Sequence, residues 1–332
     1  MFRMRPHDRR LVALLALFVA VPFSSALAQT AANYPSRQIR IICPYAPGGP
    51  TDLLARIIGQ KLGELWGKPV VVENRAGLGG TLGIDAGVKS PADGYTIVIG
   101  GLSNLSLAPH LYAKLPYDPL RDLAPIASVA VTPYVLAVNP RVPARSVEEL
   151  IKIARSKRDA LNYGSSGAGS MSHLATEMFK AAVGADIVHV PYKGAVPAVT
   201  AIISGEIDML FVDLLVGKPN AEAGKLRLLA TTSGRRAAAL PQLPTMAEAG
   251  VKDVVVEGRF GFVAPAGTPK DIVAKLNAGI ISSLKMPDVI QRFNDLGYEA
   301  LGDTPEKFAE TLKSDYEHYG RVLRKAGIKA EL

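Results

Sequence analysis

The chain has 332 residues, of which 48% are hydrophobic and 20% are charged, and its formal net charge at pH 7 is +8. This length is enough for two domains that each bury a core. The basic residues form no run with interleaved aromatic residues, which argues against nucleic-acid binding. The single cysteine, Cys43, excludes an intramolecular disulfide.

The first 28 residues have the layout of a secretory signal peptide. Four arginines precede an apolar stretch at residues 11–21, and the small-residue sequence ALA follows at residues 26–28. The apolar stretch is shorter than the ~20 residues that span a bilayer, and an uncleaved membrane anchor is the less favoured alternative. We therefore expect cleavage after Ala28 and export to the periplasm. The mature chain then has 34 basic and 29 acidic side chains.

Short apolar, β-branched segments alternate with amphipathic segments along the rest of the chain. The predicted strands lie at residues 39–44, 70–73, 96–99, 134–138, 161–163, 187–190, 208–212, 226–230 and 261–264. Helical periodicity is found at residues 53–66, 146–158, 170–182, 195–204, 270–284 and 305–326. This alternation predicts parallel sheets with helices on both faces, whereas the proline- and aspartate-rich residues 115–125 predict a loop.

Two candidate crossover segments divide the mature chain. They lie near residues 130–133 and 255–260, and the chain ends in helices after the second one. We expect two α/β lobes joined by two strands. The first lobe is predicted to comprise residues 33–131 and 257–332, and the second to comprise residues 132–256.

A glycine-rich turn, PYAPGGPTD at residues 44–52, connects the first predicted strand to the strongest helical pattern. Gly48 and Gly49 are expected to adopt positive φ and to bring backbone N–H groups close to a ligand. Thr51 or Asp52 is expected to cap the helix. The start of a helix has unpaired N–H groups and favours an anion. From the turn alone, an anion site and an ordinary strand-to-helix turn are equally supported.

A second segment of this kind is GSSGAGSMSH at residues 164–173, which also follows a predicted strand and begins a helix. Its glycines and serines predict another anion site with added hydroxyl donors. Two such sites in separate lobes would hold one ligand from both sides, which favours binding over two ordinary turns. His173 either contacts the ligand or supports the loop, and support is the preferred interpretation.

Other motifs give weaker signals. Residues 77–83, GLGGTLG, fail the spacing of a dinucleotide site, so a tight turn before a helix is preferred. Residues 164–168 resemble a nucleophile elbow but end in alanine instead of glycine. The five histidines form no zinc motif, and we expect no metal or cofactor. The alternative function is a periplasmic serine hydrolase of small carboxylic esters that uses Ser166 or Ser170, and a third is a ligand-responsive module that acts through protein partners.

The chain resembles the substrate-binding proteins of tripartite tricarboxylate transporters, also called the Bug family, from residue 34 to the C-terminus. The matching stretches, in order, are PYAPGGPTD, VVENRAGLGGTLG, ADGYTI, LNYGSSGAGSMSHLATE, HVPYKG, GKLRLLATTSGRR and FVAPAGTP. The resemblance implies a two-lobed periplasmic binding protein type II fold, a Venus flytrap of parallel-rich sheets flanked by helices with two crossover strands. It also implies a monomeric, non-enzymatic receptor that captures a small organic carboxylate and serves inner-membrane transporter subunits or a sensor protein.

The resemblance further implies that backbone amides and water between the two loops hold the ligand carboxylate. The implied ligand-binding residues are Tyr45, Ala46, Pro47, Gly48, Gly49, Ser103, Asn104, Ser165, Ser166, Gly169, Ser170, His173, Asp213 and Arg259. In the family, the region around Asp213 contributes specificity, for example by receiving an amino group. Arg259 departs from the family pattern, which often has an aromatic residue there; it either pairs with a second acidic group of the ligand or points outward. The sequence leaves the carboxylate open among dicarboxylates, tricarboxylates, aromatic acids and acidic amino acids.

Overall fold

The computed structural model describes residues 33–156, 160–237 and 239–326. The predicted signal peptide and its cleavage site lie outside these residues. Pro35 and the residues after it form one unit, and Asn33 and Tyr34 belong to a separate N-terminal unit. No helix within the described residues is both long enough and apolar enough to cross a bilayer.

Strands and helices alternate along most of the described chain. The first elements are β1 (Ile39–Cys43), α1 (Pro50–Trp66), β2 (Val70–Asn74), α2 (Thr81–Val88), β3 (Thr96–Gly101), α3 (Ala108–Leu111), β4 (Leu123–Val138) and α4 (Val147–Ser156). They are followed by β5 (Asn162–Ser165), α5 (Met171–Val183), β6 (Val188–Pro191), α6 (Ala195–Ser204), β7 (Met209–Asp213), α7 (Leu214–Glu222) and β8 (Arg227–Thr231). The last elements are β9 (Glu257–Pro265), α8 (Lys270–Leu284), α9 (Pro287–Asp295), β10 (Glu299–Ala300) and α10 (Pro305–Ala326).

The strands form a mixed sheet in the order β2-β1-β3-β9-β4-β7-β5-β6, with β8 and β10 paired to β4. β1 pairs in parallel with β2 and β3, and β5 pairs in parallel with β6 and β7, as the alternation of strands and helices predicts. The long strands β4 and β9 pair antiparallel with each other and with their other neighbours. β4 and β9 run antiparallel to each other because the chain passes from the first half of the sheet to the second along β4 and returns along β9.

β4 connects the two halves of the sheet. It pairs with β9 from Leu123 to Pro133 and with β7 from Tyr134 to Val138. The change of partner therefore lies next to the first predicted crossover, and β9 covers most of the second. The exact lobe boundaries given above stay a prediction.

The apolar stripe of α1 packs on the first half of the sheet as its periodicity predicts. Leu54, Ile58 and Leu62 are fully buried, whereas Leu65, at the end of the predicted stripe, is 46% exposed. The helix lies close to the strands at Gly59, where a Cβ atom would come within 3.1 Å of the Ile41 side chain. This close packing fixes the start of α1 at the carboxyl end of β1.

Helix α10 packs against both halves of the sheet. Its residues Phe308 and Leu312 belong to the apolar cluster around β1 and β3. Tyr319 and Leu323, further along the same helix, belong to the cluster around β5 and β7. The middle of α10 therefore lies at the junction between the two halves.

The structure differs from the sequence prediction in five elements. The predicted loop at residues 115–125 ends earlier, since β4 begins at Leu123 and accommodates Pro125 through a register shift between Pro125 and Ala127. α3, α7, α9 and β10 have no predicted counterpart. α7 contains Gly217 and Pro219, which both disfavour a helix interior and weaken its sequence signal.

Candidate functional site

A cavity of about 70 Å³ lies where the two halves of the sheet face each other. Nine of the predicted site residues line it: Tyr45, Ala46, Pro47, Gly49, Ser103, Ser166, Ser170, Asp213 and Arg259. Five others, Gly48, Asn104, Ser165, Gly169 and His173, do not line it and instead support the residues that do. The remaining walls are largely apolar and include Leu102, Tyr134, Met171, Val196 and Phe260.

The first loop brings the start of α1 to this cavity. α1 begins at Pro50 with Gly49 as its N-cap, so the expected cap at Thr51 or Asp52 is wrong. Proline is favoured at the first helical position, where its missing N–H costs no helical hydrogen bond. Positive φ is found at Gly48, with φ of 86°, but Gly49 is extended, with φ of −84°.

Asp52 fixes the shape of this loop through its buried carboxylate. It accepts the Gly48 N–H at 3.0 Å, two hydrogen bonds from Arg56 and one from the Asn74 amide. Burial raises the pKa of Asp52, but these hydrogen bonds outweigh that effect and hold the pKa below its usual value. The Gly48 N–H is therefore already paired, and the donors that this loop offers a ligand are others.

Within the described residues, the N–H groups of Gly49 and Thr51 donate to no protein acceptor. Both residues line the cavity at the positive end of the helix dipole of α1. These two amides, together with the hydroxyl of Thr51, are the donors that the first loop presents.

Tyr45, Ser103 and Asn104 form a hydrogen-bonded group beneath the first loop. The hydroxyl groups of Tyr45 and Ser103 are 2.7 Å apart, and the Tyr45 hydroxyl also donates to Gly79 O at 3.1 Å. Asn104 Oδ1 accepts the N–H of Gly101 at 2.9 Å. Burial, offset in part by the Ser103 hydroxyl, raises the pKa of Tyr45 to about 12, so the phenol stays protonated. The group is a neutral platform that holds Tyr45 and Ser103 at the cavity wall.

The second loop, at residues 165–170, is held mainly by its own hydrogen bonds. The N–H of Ser166 donates to Ser172 Oγ at 2.8 Å, and that of Gly167 donates to Ser165 Oγ at 3.2 Å. The N–H of Gly169 donates to His173 Nδ1 at 3.1 Å, which agrees with a supporting role for His173. Ser170 is the N-cap of α5.

The cavity-facing donors of the second loop are consequently fewer than the sequence suggests. Ser166 and Ser170 line the cavity, and Met171 at the first position of α5 lies beside them. The Ser170 hydroxyl is 2.9 Å from Ser172 Oγ, which in turn is 3.3 Å from Ser166 Oγ. Ser165, which is fully buried, contacts an imidazole: His189 Nε2 is 2.7 Å from Ser165 Oγ.

A third helix start, which sequence reasoning missed, also lines the cavity. Gly194 is the N-cap of α6 with φ of 131°, and Ala195, Val196 and Pro197 form the first turn. Within the described residues, the N–H groups of Ala195 and Val196 donate to no protein acceptor. The signal was present in the sequence, because Gly194 follows a predicted strand and precedes a helical pattern, as in the other two loops.

Asp213 is the buried acidic group of the cavity. It is 1% exposed and caps α7, where its Oδ1 accepts the Leu215 N–H at 2.9 Å. The hydroxyl of Tyr298 is 3.5 Å from the same oxygen, and the other oxygen, Oδ2, has no hydrogen-bond partner within the described residues. Burial raises the pKa of Asp213 to about 7, against smaller opposing effects of its two hydrogen bonds.

Arg259, on β9, is among the residues that line the cavity and also among those that line a neighbouring cavity. Its Nε lies 3.4 Å from Asp315 Oδ2 on α10, a separation typical of an ion pair and not of a well-formed hydrogen bond. Burial raises the pKa of Asp315, and Arg259 opposes that rise.

The turn at residues 77–83 closes one edge of the cleft. It forms a 3₁₀ turn followed by α2, which confirms a tight turn before a helix. The Tyr112 hydroxyl lies 3.1 Å from Leu78 O and 3.3 Å from Ala168 O. Gly79 approaches Ala168 so closely that a Cβ atom would lie 3.0 Å from its carbonyl oxygen. The two halves of the molecule therefore touch here.

Among the described residues, no group of three or more His, Cys, Asp and Glu side chains is arranged to hold a metal ion.

The chain matches the family model described as "Tripartite tricarboxylate transporter family receptor" over residues 54–328. It is 35% identical over 321 residues to protein BugT of Bordetella pertussis, covering 96% of this chain and 98% of that one.

Two solved structures are similar over nearly their whole length. The protein Rpa4515 of R. palustris, solved with adipate, is 36% identical with a TM-score of 0.87, covering 90% of this chain and 99% of that one. MatC of Rhodopseudomonas palustris, solved with bound malate, is 31% identical with a TM-score of 0.84, covering 87% and 100%. These similarities confirm the predicted two-lobed α/β binding-protein fold. The chain therefore belongs to the tripartite tricarboxylate transporter receptor family of solute-binding proteins.

Proposed function

We propose that this protein is an exported receptor that binds a small organic carboxylate, with a dicarboxylate as the preferred class, in the cavity between its two lobes. The observation that carries the proposal is the convergence of three helix N-termini, those of α1, α5 and α6, on one cavity. A helix N-terminus combines N–H donors with partial positive charge, and both favour an anion. Three of them around one small cavity favour a carboxylate strongly.

The magnitudes are sufficient for a receptor. A hydrogen bond to a charged group contributes roughly 1.5–3 kcal/mol net, and each helix terminus adds roughly 0.3–1 kcal/mol. Micromolar binding requires about 8 kcal/mol. The N–H groups of Gly49, Thr51 and Ala195, with the hydroxyl of Ser166, supply this without an arginine at the first carboxylate. The apolar walls then receive the carbon chain of the ligand.

A second acidic group of the ligand would meet Arg259. The similar proteins solved with adipate and with malate each hold a molecule with two carboxylates, which supports the same class here. Among the described residues that line the cavity, Arg259 is the cationic one, and a ligand carboxylate would compete with Asp315 for its guanidinium. We assign the remaining specificity to Asp213 at the buried end of the cavity.

The export and delivery steps complete the proposal. Residues 1–28 have the layout of a signal peptide, which fits a periplasmic receptor, and the family supplies a membrane transporter as the receiving partner. Residues 33–131 with 257–332 and residues 132–256 are the two lobes that close over the ligand by a hinge at β4 and β9. Ligand contacts to both lobes favour the closed state.

The direct test is a thermal-shift screen of the purified mature chain against succinate, malate, adipate, citrate, benzoate and glutamate. A ligand that binds the folded state raises the unfolding temperature by mass action. We expect a dicarboxylate to give the largest rise. No rise with any acid, or the recovery of a bound molecule without a carboxylate after denaturation, would contradict the proposal.

A further inference from the structure

Two histidine rings stack behind the second cleft loop. His173 lies in the first turn of α5 and His189 lies on β6, and their ring centroids are 4.3 Å apart with an interplanar angle of 8°. The ring of Tyr163, on β5, also stacks on His189, at 4.7 Å and 11°. Near-parallel aromatic rings at these distances stabilise one another's orientation. The two imidazoles are therefore held rigidly against the loop.

Each imidazole binds one end of the loop at residues 165–170. His189 Nε2 lies 2.7 Å from Ser165 Oγ, and His173 Nδ1 accepts the Gly169 N–H at 3.1 Å. Ser165 Oγ also accepts the Gly167 N–H at 3.2 Å, and either Ser165 Oγ or His189 Nε2 can be the donor in the contact between them. The Gly169 N–H requires an unprotonated Nδ1 in His173, and an O–H donated by Ser165 would likewise require an unprotonated Nε2 in His189.

We propose that His173 and His189 are a pair of positioning residues that hold the second cleft loop in its ligand-binding shape. The proposal rests on the proposed function, since that loop is one side of the carboxylate site. Neither histidine lines the cavity; His173 acts through a backbone N–H of the loop and His189 through the side chain of Ser165. The sequence prediction included His173 alone and missed His189, which is sixteen positions further along the chain.

Titratable groups surround the pair of histidines. The titratable groups that face it are Tyr163 from β5, and Glu177 and Lys180 from α5. Burial, with His173 as the next cause, lowers the pKa of His189 to about 4, so His189 stays neutral at neutral pH.

The test replaces each histidine by an isosteric acceptor and by a ring without one. In H173N and H189Q, an amide oxygen takes the place of the accepting nitrogen, whereas H173F and H189F keep a stacking ring and lose the acceptor. The first readout is hydrogen exchange of the Gly167 and Gly169 amides in the unliganded protein. We expect about tenfold faster exchange at Gly169 in H173F and at Gly167 in H189F, with near wild-type rates in H173N and H189Q.

The second readout is the affinity for adipate, measured by titration calorimetry at pH 8. We expect about tenfold weaker binding in both phenylalanine variants and near wild-type affinity in H173N and H189Q. S165A serves as a further variant that keeps the ring stack but removes the His189 contact together with the acceptor of the Gly167 N–H, and it should bind at least as weakly as H189F.

Phenylalanine variants that fold, exchange and bind like wild type would overturn the positioning role. A loss of affinity in H173N and H189Q as large as in the phenylalanine variants would also overturn it. If wild type does not bind adipate, the proposed ligand class loses its support, and the exchange rates in the unliganded protein then decide the positioning role by themselves.

Discussion

Replacement of Asp213 by asparagine is expected to change how the stability of the unliganded protein depends on pH. The Asp213 carboxyl is buried, its Oδ2 has no partner within the described residues, and its pKa is raised from 3.8 to about 7. The folded protein therefore binds this proton more tightly than the unfolded chain does. Stability from this group is complete below about pH 4 and is lost as the pH rises through 7.

The magnitude follows from the size of the shift. One pKa unit corresponds to about 1.4 kcal/mol, so a shift of roughly three units lowers the free energy of unfolding by about 4 kcal/mol between pH 4 and pH 8. In the Asp213→Asn variant this decrease is absent, because the amide does not titrate and its oxygen still accepts the Leu215 N–H. The free energy of unfolding of the variant minus that of wild type should thus be several kcal/mol larger at pH 8 than at pH 4.

The assay is urea unfolding followed by circular dichroism at pH 4, 6 and 8. Bound ligand is first removed by unfolding and refolding, since a ligand shifts stability by mass action. Asp213→Glu is less informative because the extra methylene changes the packing, so wild type and the asparagine variant form the comparison. Parallel pH profiles for the two proteins would refute the reasoning and would mean that Asp213 is solvated or paired.

Three further predictions concern the first loop and the cavity wall. Gly48→Val should weaken carboxylate binding about tenfold or more through strain at φ of 86°. The control is Gly184→Val, at φ of 60° in an equally open surrounding and far from the cleft, which should lower stability alone. Equal affinities of Gly48→Val and wild type in calorimetry would rule out a role for this turn. Arg259→Trp should shift preference from dicarboxylates to monocarboxylates by about tenfold in the ratio of their Kd values, and an unaltered ratio would remove Arg259 from the site. Asp52→Asn should lower the free energy of unfolding by about 1–3 kcal/mol at pH 7 and by less near pH 3. The reason is that the pKa of Asp52 is held low in the folded state, so the stability that its carboxylate contributes is lost on protonation. A decrease in the free energy of unfolding that does not change with pH would contradict the carboxylate network.

The sequence predicts most strands, most helices and the position of two cleft loops because these depend on local patterns. Glycines between a strand and an amphipathic helix mark a helix start that presents its N–H groups. The same reasoning applied to Gly194 identifies the third loop. The sequence cannot show which amides are already paired, because those partners come from other parts of the chain. Asn74 reaches Asp52 from β2, and His189 reaches Ser165 from β6.

The sequence also cannot show which charged groups of the cavity are buried or paired. The carboxyl of Asp213 becomes an unpaired buried acid only because β7, α7 and Tyr298 enclose it. Arg259 and Asp315 are 56 positions apart, and their ion pair depends on how α10 lies across the two halves. Burial and long-range pairing are consequences of tertiary packing, and local periodicity contains no information about them.

Calorimetric titration of Gly49→Val tests the central claim, that backbone amides at the start of α1 hold a ligand carboxylate. Gly49 lines the cavity in an extended conformation that any residue adopts, and a Cβ atom there would meet only Ala46 O, at 3.9 Å. The fold should therefore stay intact while the added methyl groups occupy the space in front of the Gly49 and Thr51 amides. We predict an unchanged unfolding temperature and a loss of affinity of about 100-fold for the best dicarboxylate of the screen. A variant that binds this dicarboxylate as tightly as wild type would contradict the account.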